Sequence, residues 1–162
     1  MQAQPITLKT LPYVTAQEVF NTVSRHLLAQ GQRSRALVTH SRGDLEECQY
    51  HTQEGLKDAC GCLMADDEYD ASLEGKTWQC LAKAGTVPSE NADLIYKLQG
   101  VHDHYYPYEW KMELRKVAQA FNIDTAFLET LELVLPPASE QTSSSLEQPF
   151  HDLHDRVLSP KG

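Results

Sequence analysis

The sequence predicts a single compact, mainly α-helical domain over residues 1–135, with one small β-hairpin, followed by a disordered tail over 136–162. Three observations lead to this prediction. Apolar residues recur at helical spacing along most of the first 135 residues. The chain is also long enough to bury a core of its own. After Pro136 and Pro137 the composition changes to Ser, Thr, Glu and Gln, which is typical of segments that do not fold alone.

The first helix is predicted over 16–30. Thr15 and Glu18 have the spacing of a capping box, in which each side chain satisfies a backbone N–H of the other residue. Gly31 provides the usual end of such a helix. Apolar residues at helical spacing lie between these signals: Val19, Phe20, Val23, Leu27 and Leu28.

A small hairpin is predicted between residues 33 and 51. Residues 36–39 (Ala-Leu-Val-Thr) have the composition of a strand, and residues 41–44 (Ser-Arg-Gly-Asp) are typical of a turn. Residues 47–51 would then form the returning strand.

A second helix is predicted over 55–65, with Thr52 as its cap. Its end near Ala65 is expected because the three acids at 66–68 oppose the helix dipole. One apolar stripe at helical spacing supports the prediction: Leu56, Ala59, Cys60, Leu63 and Met64.

Four further helices complete the predicted domain. A short one contains Trp78 and ends before Gly85, and the next is expected to be capped by Ser89. Another runs from Trp110 to Phe121, and the last is expected to be capped by Asp124.

The net charge of −9 arises from one segment, residues 44–74, which holds ten acidic residues and a single base, Lys57. This charge opposes binding to a nucleic-acid backbone and suits a basic surface on a partner protein. A purely solvated acidic surface is the alternative. We expect a non-enzymatic regulator or inhibitor, with a contact patch that follows the predicted helix: Asp66, Asp67, Glu68, Tyr69 and Asp70.

A cytoplasmic location without membrane insertion is expected. No apolar run approaches the roughly 20 residues that span a bilayer, and the N-terminal residues lack the apolar core of a signal peptide. The four irregularly spaced cysteines are typical of reduced thiols. The sequence does not predict an oligomeric state.

Zinc is the one cofactor that the sequence suggests, as an alternative function. Cysteine and histidine are the usual ligands of tetrahedral zinc. The predicted helix opposes such a site, since residues two apart on a helix point about 200° apart. The candidate ligands are Cys48, His51, Cys60 and Cys62.

An enzyme is a second alternative, centred on Cys62 or on His102 and His104. Neighbouring carboxylates such as Asp58 oppose a reactive thiolate at Cys62, because thiolates need an electropositive setting. The sequence carries no hydrolase elbow, phosphate-binding loop or dinucleotide fingerprint. In the tail, Phe150, Leu153 and Val157 have the spacing of one amphipathic turn that could dock on the domain or on a partner.

Several short segments resemble a group of small uncharacterised bacterial and phage proteins. The matching pieces are Cys48-Gln49-Tyr50-His51, Gly55-Leu56-Lys57, Gly61-Cys62-Leu63-Met64, Asp66 with Tyr69, Glu74-Gly75, Leu98-Gln99 and His102-Asp103. The chain differs from that pattern at Asp58, where the pattern has cysteine, and at His51, where it has arginine. The resemblance implies a small helical protein of prokaryotic or phage origin and transfers no activity.

Overall fold

The computed structural model describes residues 4–137. Within them the chain forms five α-helices and one antiparallel hairpin, which confirms the predicted mainly α class. In chain order the elements are α1 (Ala16–Gln30), β1 (Arg35–His40), β2 (Gly43–Cys48), α2 (Trp78–Lys83), α3 (Ala92–His104), α4 (Pro107–Ala120) and α5 (Ala126–Glu129). The predicted tail and its apolar residues Phe150, Leu153 and Val157 lie outside the described residues.

Helix α1 begins and ends as predicted. The Thr15 hydroxyl accepts a hydrogen bond from the Glu18 amide at 3.1 Å, and the Glu18 carboxylate accepts one from the Thr15 amide at 2.7 Å. Gly31 closes the helix with a left-handed φ of 65°. Helix α1 packs against α3, α4 and α5, so its apolar face, with Phe20 and Leu27 fully buried, lies in the core.

The hairpin forms around a two-residue turn at Ser41 and Arg42. Its second strand starts earlier than predicted, at Gly43, because Val38 pairs with Leu45 and Arg35 with Cys48. The ladder therefore closes at Cys48, and Cys48 is buried where the hairpin meets the helices.

The helix predicted over 55–65 is wrong. This stretch forms a loop that returns along residues 50–51, with one 3₁₀ turn at Gly61–Leu63 and a β-bridge between His51 and Lys57. The apolar stripe is nevertheless core, since Ala59, Cys60, Leu63 and Met64 are all buried. The helical spacing of the apolar residues thus correctly predicted that they are buried, but it wrongly predicted that they form a helix.

The remaining helices follow the sequence prediction with small shifts. Helix α3 starts at Ala92, with Asn91 rather than Ser89 at the N-cap position and no capping hydrogen bond from its side chain. The Asp124 carboxylate accepts a hydrogen bond from the Ala126 amide at 2.8 Å at the start of α5. Trp78 is the first residue of α2, and Trp110 lies within α4. Their side chains are the largest that are fully buried, and they anchor these helices in the common core.

Candidate functional site

The loop over 49–77 is the longest part of the described chain without a helix longer than one turn or a strand. Connections of this length in a compact domain are uncommon and are often functional. Three carboxylates, at Asp58, Glu68 and Glu74, hold this loop by accepting hydrogen bonds from its backbone. We refer to these three residues as the carboxylate frame.

Asp58 is fully buried and turns the chain at the point where a helix was predicted. Its Oδ1 accepts hydrogen bonds from the amides of Cys60 at 2.9 Å and Gly61 at 2.6 Å. Aspartate side chains compete with helical bonding in this way. A side chain at Gly61 would meet the Tyr50 carbonyl oxygen at 1.9 Å, so the two backbone segments approach to a distance that glycine alone permits.

Glu68 ties the loop to the N-terminal residues. Its Oε2 accepts hydrogen bonds from the amides of Leu8 at 2.7 Å and Ala65 at 2.9 Å, and its Oε1 accepts one from the amide of Lys9 at 3.3 Å. Because an ionised acceptor forms stronger hydrogen bonds than a neutral one, Glu68 is an important link in the fold.

Glu74 completes the frame at the other side of the loop. Its carboxylate accepts hydrogen bonds from the amide of Tyr50 at 2.9 Å, the amide of His51 at 3.3 Å and the hydroxyl of Tyr69 at 2.7 Å. Burial raises the pKa of Glu74, and the three hydrogen bonds oppose that shift. Burial, together with this carboxylate, raises the pKa of the Tyr69 phenol above its ordinary value.

A cleft of about 720 Å³ lies between residues 51–57 and the turn at Asp66–Glu68. At one side of it the ring of His51 stacks on the ring of Tyr69, with 4.3 Å between their centroids. His51 Nε2 donates a hydrogen bond to the Gly61 carbonyl at 3.0 Å, which fixes the ring. Lys57 Nζ lies 2.9 Å from Asp66 Oδ1, so an ion pair joins the two lining segments.

The predicted contact patch divides into two groups. Asp66, Asp67 and Asp70 are exposed, and the Asp66 side chain is 87 % accessible. A hydrogen bond from Lys57 lowers the pKa of Asp66, and one from Ser72 lowers that of Asp70, so both are fully ionised at neutral pH. Glu68 and Tyr69 are half-buried and hold the loop through the hydrogen bonds given above.

The four residues of the zinc hypothesis occupy different settings. His51 stacks on Tyr69, the Cys60 thiol is buried 4.0 Å from the carbonyl oxygen of Ile95, and the Cys62 thiol donates to the Ala59 carbonyl at 3.3 Å. Within residues 4–137, the one cluster of three or more candidate ligand atoms within 4.8 Å consists of Cys48, His102 and Asp103. Of the predicted set, the structure therefore brings only Cys48 into such a cluster.

The cluster of Cys48, His102 and Asp103 is buried where the hairpin meets α3. The Ser34 amide donates to His102 Nε2 at 2.8 Å, so the ring proton is on Nδ1 and is donated to Asp103 Oδ1 at 2.9 Å. A metal on Nδ1 would need that nitrogen's lone pair while Nε2 still accepts from Ser34, which only an imidazolate provides. The hydrogen bonds therefore fit a buried structural network better than a metal site.

The residues of the enzyme hypothesis are also separated. His102 is buried, and His104, two positions later on α3, is exposed. Burial and the nearby Asp58 carboxylate raise the pKa of the Cys62 thiol well above its ordinary value, which favours the unreactive protonated form.

Hydrogen bonds join three residues that are distant in sequence, Tyr50, Glu74 and Gln99. Tyr50 adjoins the frame through Glu74, and its hydroxyl donates to the Lys76 carbonyl and accepts from Gln99 Nε2 at 3.1 Å. Gln99 Oε1 in turn accepts from the amide of Trp78 at 3.0 Å. This polar core joins the loop to α2 and α3. The sequence did not predict this polar core, because Tyr50 and Trp78 lie 49 and 21 positions from Gln99.

Among residues 4–137, no helix has both the length and the apolar character needed to cross a bilayer. The chain matches no family model, no curated protein and no solved structure.

Proposed function

We propose that this protein is a non-enzymatic binding protein, a regulator or inhibitor, that docks through an acidic loop surface on a basic surface of a partner protein. One observation carries the proposal. Asp66, Asp67 and Asp70 are exposed on a segment whose backbone is held by the buried or half-buried carboxylates of the frame. We call these three exposed residues the acidic face.

The division of labour among the acids supports this proposal. Asp58, Glu68 and Glu74 hold the loop by accepting hydrogen bonds within the protein, so these three acids already have a structural role. The hydrogen bonds of the carboxylate frame hold the backbone beside the acidic face and so fix its position. A surface ordered before binding loses less conformational entropy on association than a flexible one does.

The charge of the acidic face suits a partner with clustered Lys and Arg. Complementary potentials speed the encounter of two proteins and set their register. Carboxylates on a fixed loop can also occupy positions where a nucleic-acid-binding cleft would hold phosphates. An inhibitor of such a cleft is the finer form of the proposal, while the net charge of −9 opposes binding of this chain itself to nucleic acid.

The test compares two variants with the same change of charge. The first neutralises the acidic face (Asp66→Asn, Asp67→Asn, Asp70→Asn). The control neutralises three exposed acids elsewhere (Asp44→Asn, Glu90→Gln, Glu132→Gln). Each tagged protein is expressed in the source cell, and the co-purifying proteins are quantified at low and at moderate salt.

We expect a stoichiometric partner that the control variant retains, that the acidic-face variant loses, and whose binding weakens as salt rises. Equal retention by both variants would refute the acidic face as the contact. Circular dichroism and urea unfolding of both variants establish that the fold survives.

The zinc and enzyme hypotheses stay as alternatives with simple tests. Elemental analysis of protein purified without chelators would favour the zinc hypothesis if it found close to one equivalent of zinc. Iodoacetamide labelling would favour a reactive Cys62 if that thiol reacted faster than the exposed Cys80. The geometry supports docking through the acidic face better than it supports the zinc hypothesis or the enzyme hypothesis.

A further inference from the structure

The hairpin of β1 and β2 stands largely outside the core. Every residue over 36–47 is partly or fully exposed, and each strand packs chiefly against the other. Two-stranded hairpins are only marginally stable in water, and further strands or a packed helix usually complete them. This hairpin nevertheless exposes two leucines, with Leu37 72 % accessible and Leu45 52 % accessible. Further packing on the hairpin would therefore bury apolar surface.

The outer edge of β1 presents backbone groups that the hairpin does not use. The Gln49 amide donates to the Ser34 carbonyl at 2.9 Å, so the even-numbered residues of β1 belong to the hydrogen-bonded pairs of the ladder. The amides and carbonyls of Leu37 and Thr39 therefore point away from β2. Among residues 4–137 these groups have no hydrogen-bond partner. Such an edge is a template on which another strand can pair.

The outer edge of β2 is protected against pairing. Three acids lie on this strand, Asp44, Glu46 and Glu47. The carbonyl of Glu46, which points away from β1, accepts a hydrogen bond from the Arg35 guanidinium at 2.9 Å. Charged side chains along an edge are a common defence against strand addition. Residues 36–39 of β1 carry no charge, so strand addition is directed to β1.

A second β1 strand fits this edge. Antiparallel pairing about a two-fold axis at Leu37 would place the two Leu37 side chains opposite each other and Arg35 opposite Thr39. On the other face of the sheet, Ala36 would lie opposite Val38. This arrangement brings no like charges together, whereas two β2 strands paired in the same way would bring their acids together.

We propose that β1 pairs antiparallel with β1 of a second copy of this chain, which gives a four-stranded sheet in the order β2–β1–β1–β2. The two Leu37 side chains contact each other at the axis. The acidic β2 strands form both edges of this sheet and stop further addition, so the assembly is a closed dimer. The paired edge is separate from the acidic face, so neither proposal depends on the other.

The first test is sedimentation equilibrium of the full chain from micromolar to millimolar concentration. We expect the wild type to approach twice the monomer mass. In Leu37→Lys the new side chain lies opposite Glu46 within its own hairpin, but two lysines meet at the axis, so the dimer should weaken by about tenfold or more. The control, Leu45→Lys, makes the same change on β2 and should leave the dimer intact. A wild type that stays monomeric, a mass beyond that of a dimer, or equal weakening in both variants would overturn the proposal.

The second test does not depend on the stability of the lysine variants. Opposite residues of a hydrogen-bonded antiparallel pair have Cα atoms about 5.5 Å apart, a separation that a disulfide can span. Leu37→Cys in a Cys80→Ser background, which removes the exposed native thiol, should therefore link two chains rapidly under mild oxidation. Leu45→Cys in the same background gives the rate of random collision. Equal rates on non-reducing electrophoresis would refute pairing at Leu37.

Discussion

The amide of Ser34 donates a hydrogen bond of 2.8 Å to Nε2 of His102, a residue 68 positions further along the chain. This bond joins the start of the hairpin to the end of α3 and sets the tautomer of the imidazole. The His102 ring also stacks on Trp110, with 5.6 Å between centroids, so the contact extends to α4. His102 thus links the hairpin to α3 and α4, which follow it much later in the sequence.

Replacing His102 with leucine should destabilise the protein by about 3 kcal/mol or more, because the Ser34 amide and the buried Asp103 carboxylate would each lose a partner. Urea unfolding of His102→Leu measures the change. The control is His104→Leu on the exposed side of the same helix, which should shift stability by no more than about 0.5 kcal/mol. Equal effects in the two variants would contradict the structural role of His102.

Neighbouring acids at 67 and 68 should differ in their effect on stability. Glu68→Gln removes a charged acceptor of three backbone hydrogen bonds and should cost about 1–3 kcal/mol. Asp67→Asn changes the same charge on an exposed side chain and should cost less than about 0.5 kcal/mol. Thermal unfolding of the two variants tests whether Glu68 has a structural role and Asp67 does not. A large loss of stability in Asp67→Asn would contradict this division.

Two glycines should respond in opposite directions to alanine. At Gly61 an added Cβ would meet the Tyr50 carbonyl oxygen at 1.9 Å, so Gly61→Ala should destabilise by about 3 kcal/mol or more. At Gly100, inside α3, the nearest atom lies at an ordinary 3.7 Å. Gly100→Ala should therefore stabilise by about 0.5–1 kcal/mol through its helix propensity. Urea midpoints of both variants give the signs directly.

Stability should fall on mild acidification because of His26. Burial lowers the pKa of His26 below its ordinary value of 6.5, while its Nε2–H donates to the Lys57 carbonyl at 2.8 Å. On acidification, His26 therefore takes up a proton in the unfolded chain before it does so in the folded protein. The stability contributed by the neutral, buried His26 is present above pH 6.5 and is lost as pH falls through the lowered pKa. The difference in unfolding free energy between the wild type and His26→Gln, followed from neutral to mildly acidic pH, isolates this effect. A constant difference would refute it.

Local signals predicted the positions of the five observed helices with small shifts, because the causes of those helices lie within a few residues of one another. The capping box of Thr15 and Glu18 and the apolar stripe of α1 are examples, and both ends of that helix were predicted correctly. The hairpin was predicted from its turn, although its second strand begins four residues earlier than expected, at Gly43.

The loop over 49–77 could not be predicted, because its causes are distant in sequence. Its apolar residues have helical spacing, yet Asp58 caps a turn there and Gly61 lies against the Tyr50 backbone. Neither contact is visible until the fold brings the segments together. The acidic charge of this region is evident from the sequence. The division into carboxylate frame and acidic face is not, because it depends on the hydrogen-bond partners of each carboxylate.

The link between Glu68 and the amides of Leu8 and Lys9 also constrains the order of events during synthesis. Residues 8 and 9 leave the ribosome long before their acceptor has been made. Helix α1 carries its own capping residues and can form meanwhile, but the N-terminal segment has to wait for about sixty further residues to emerge. Leu8 and Lys9 are therefore translated before α1 and yet are among the later residues of this domain to reach their final place.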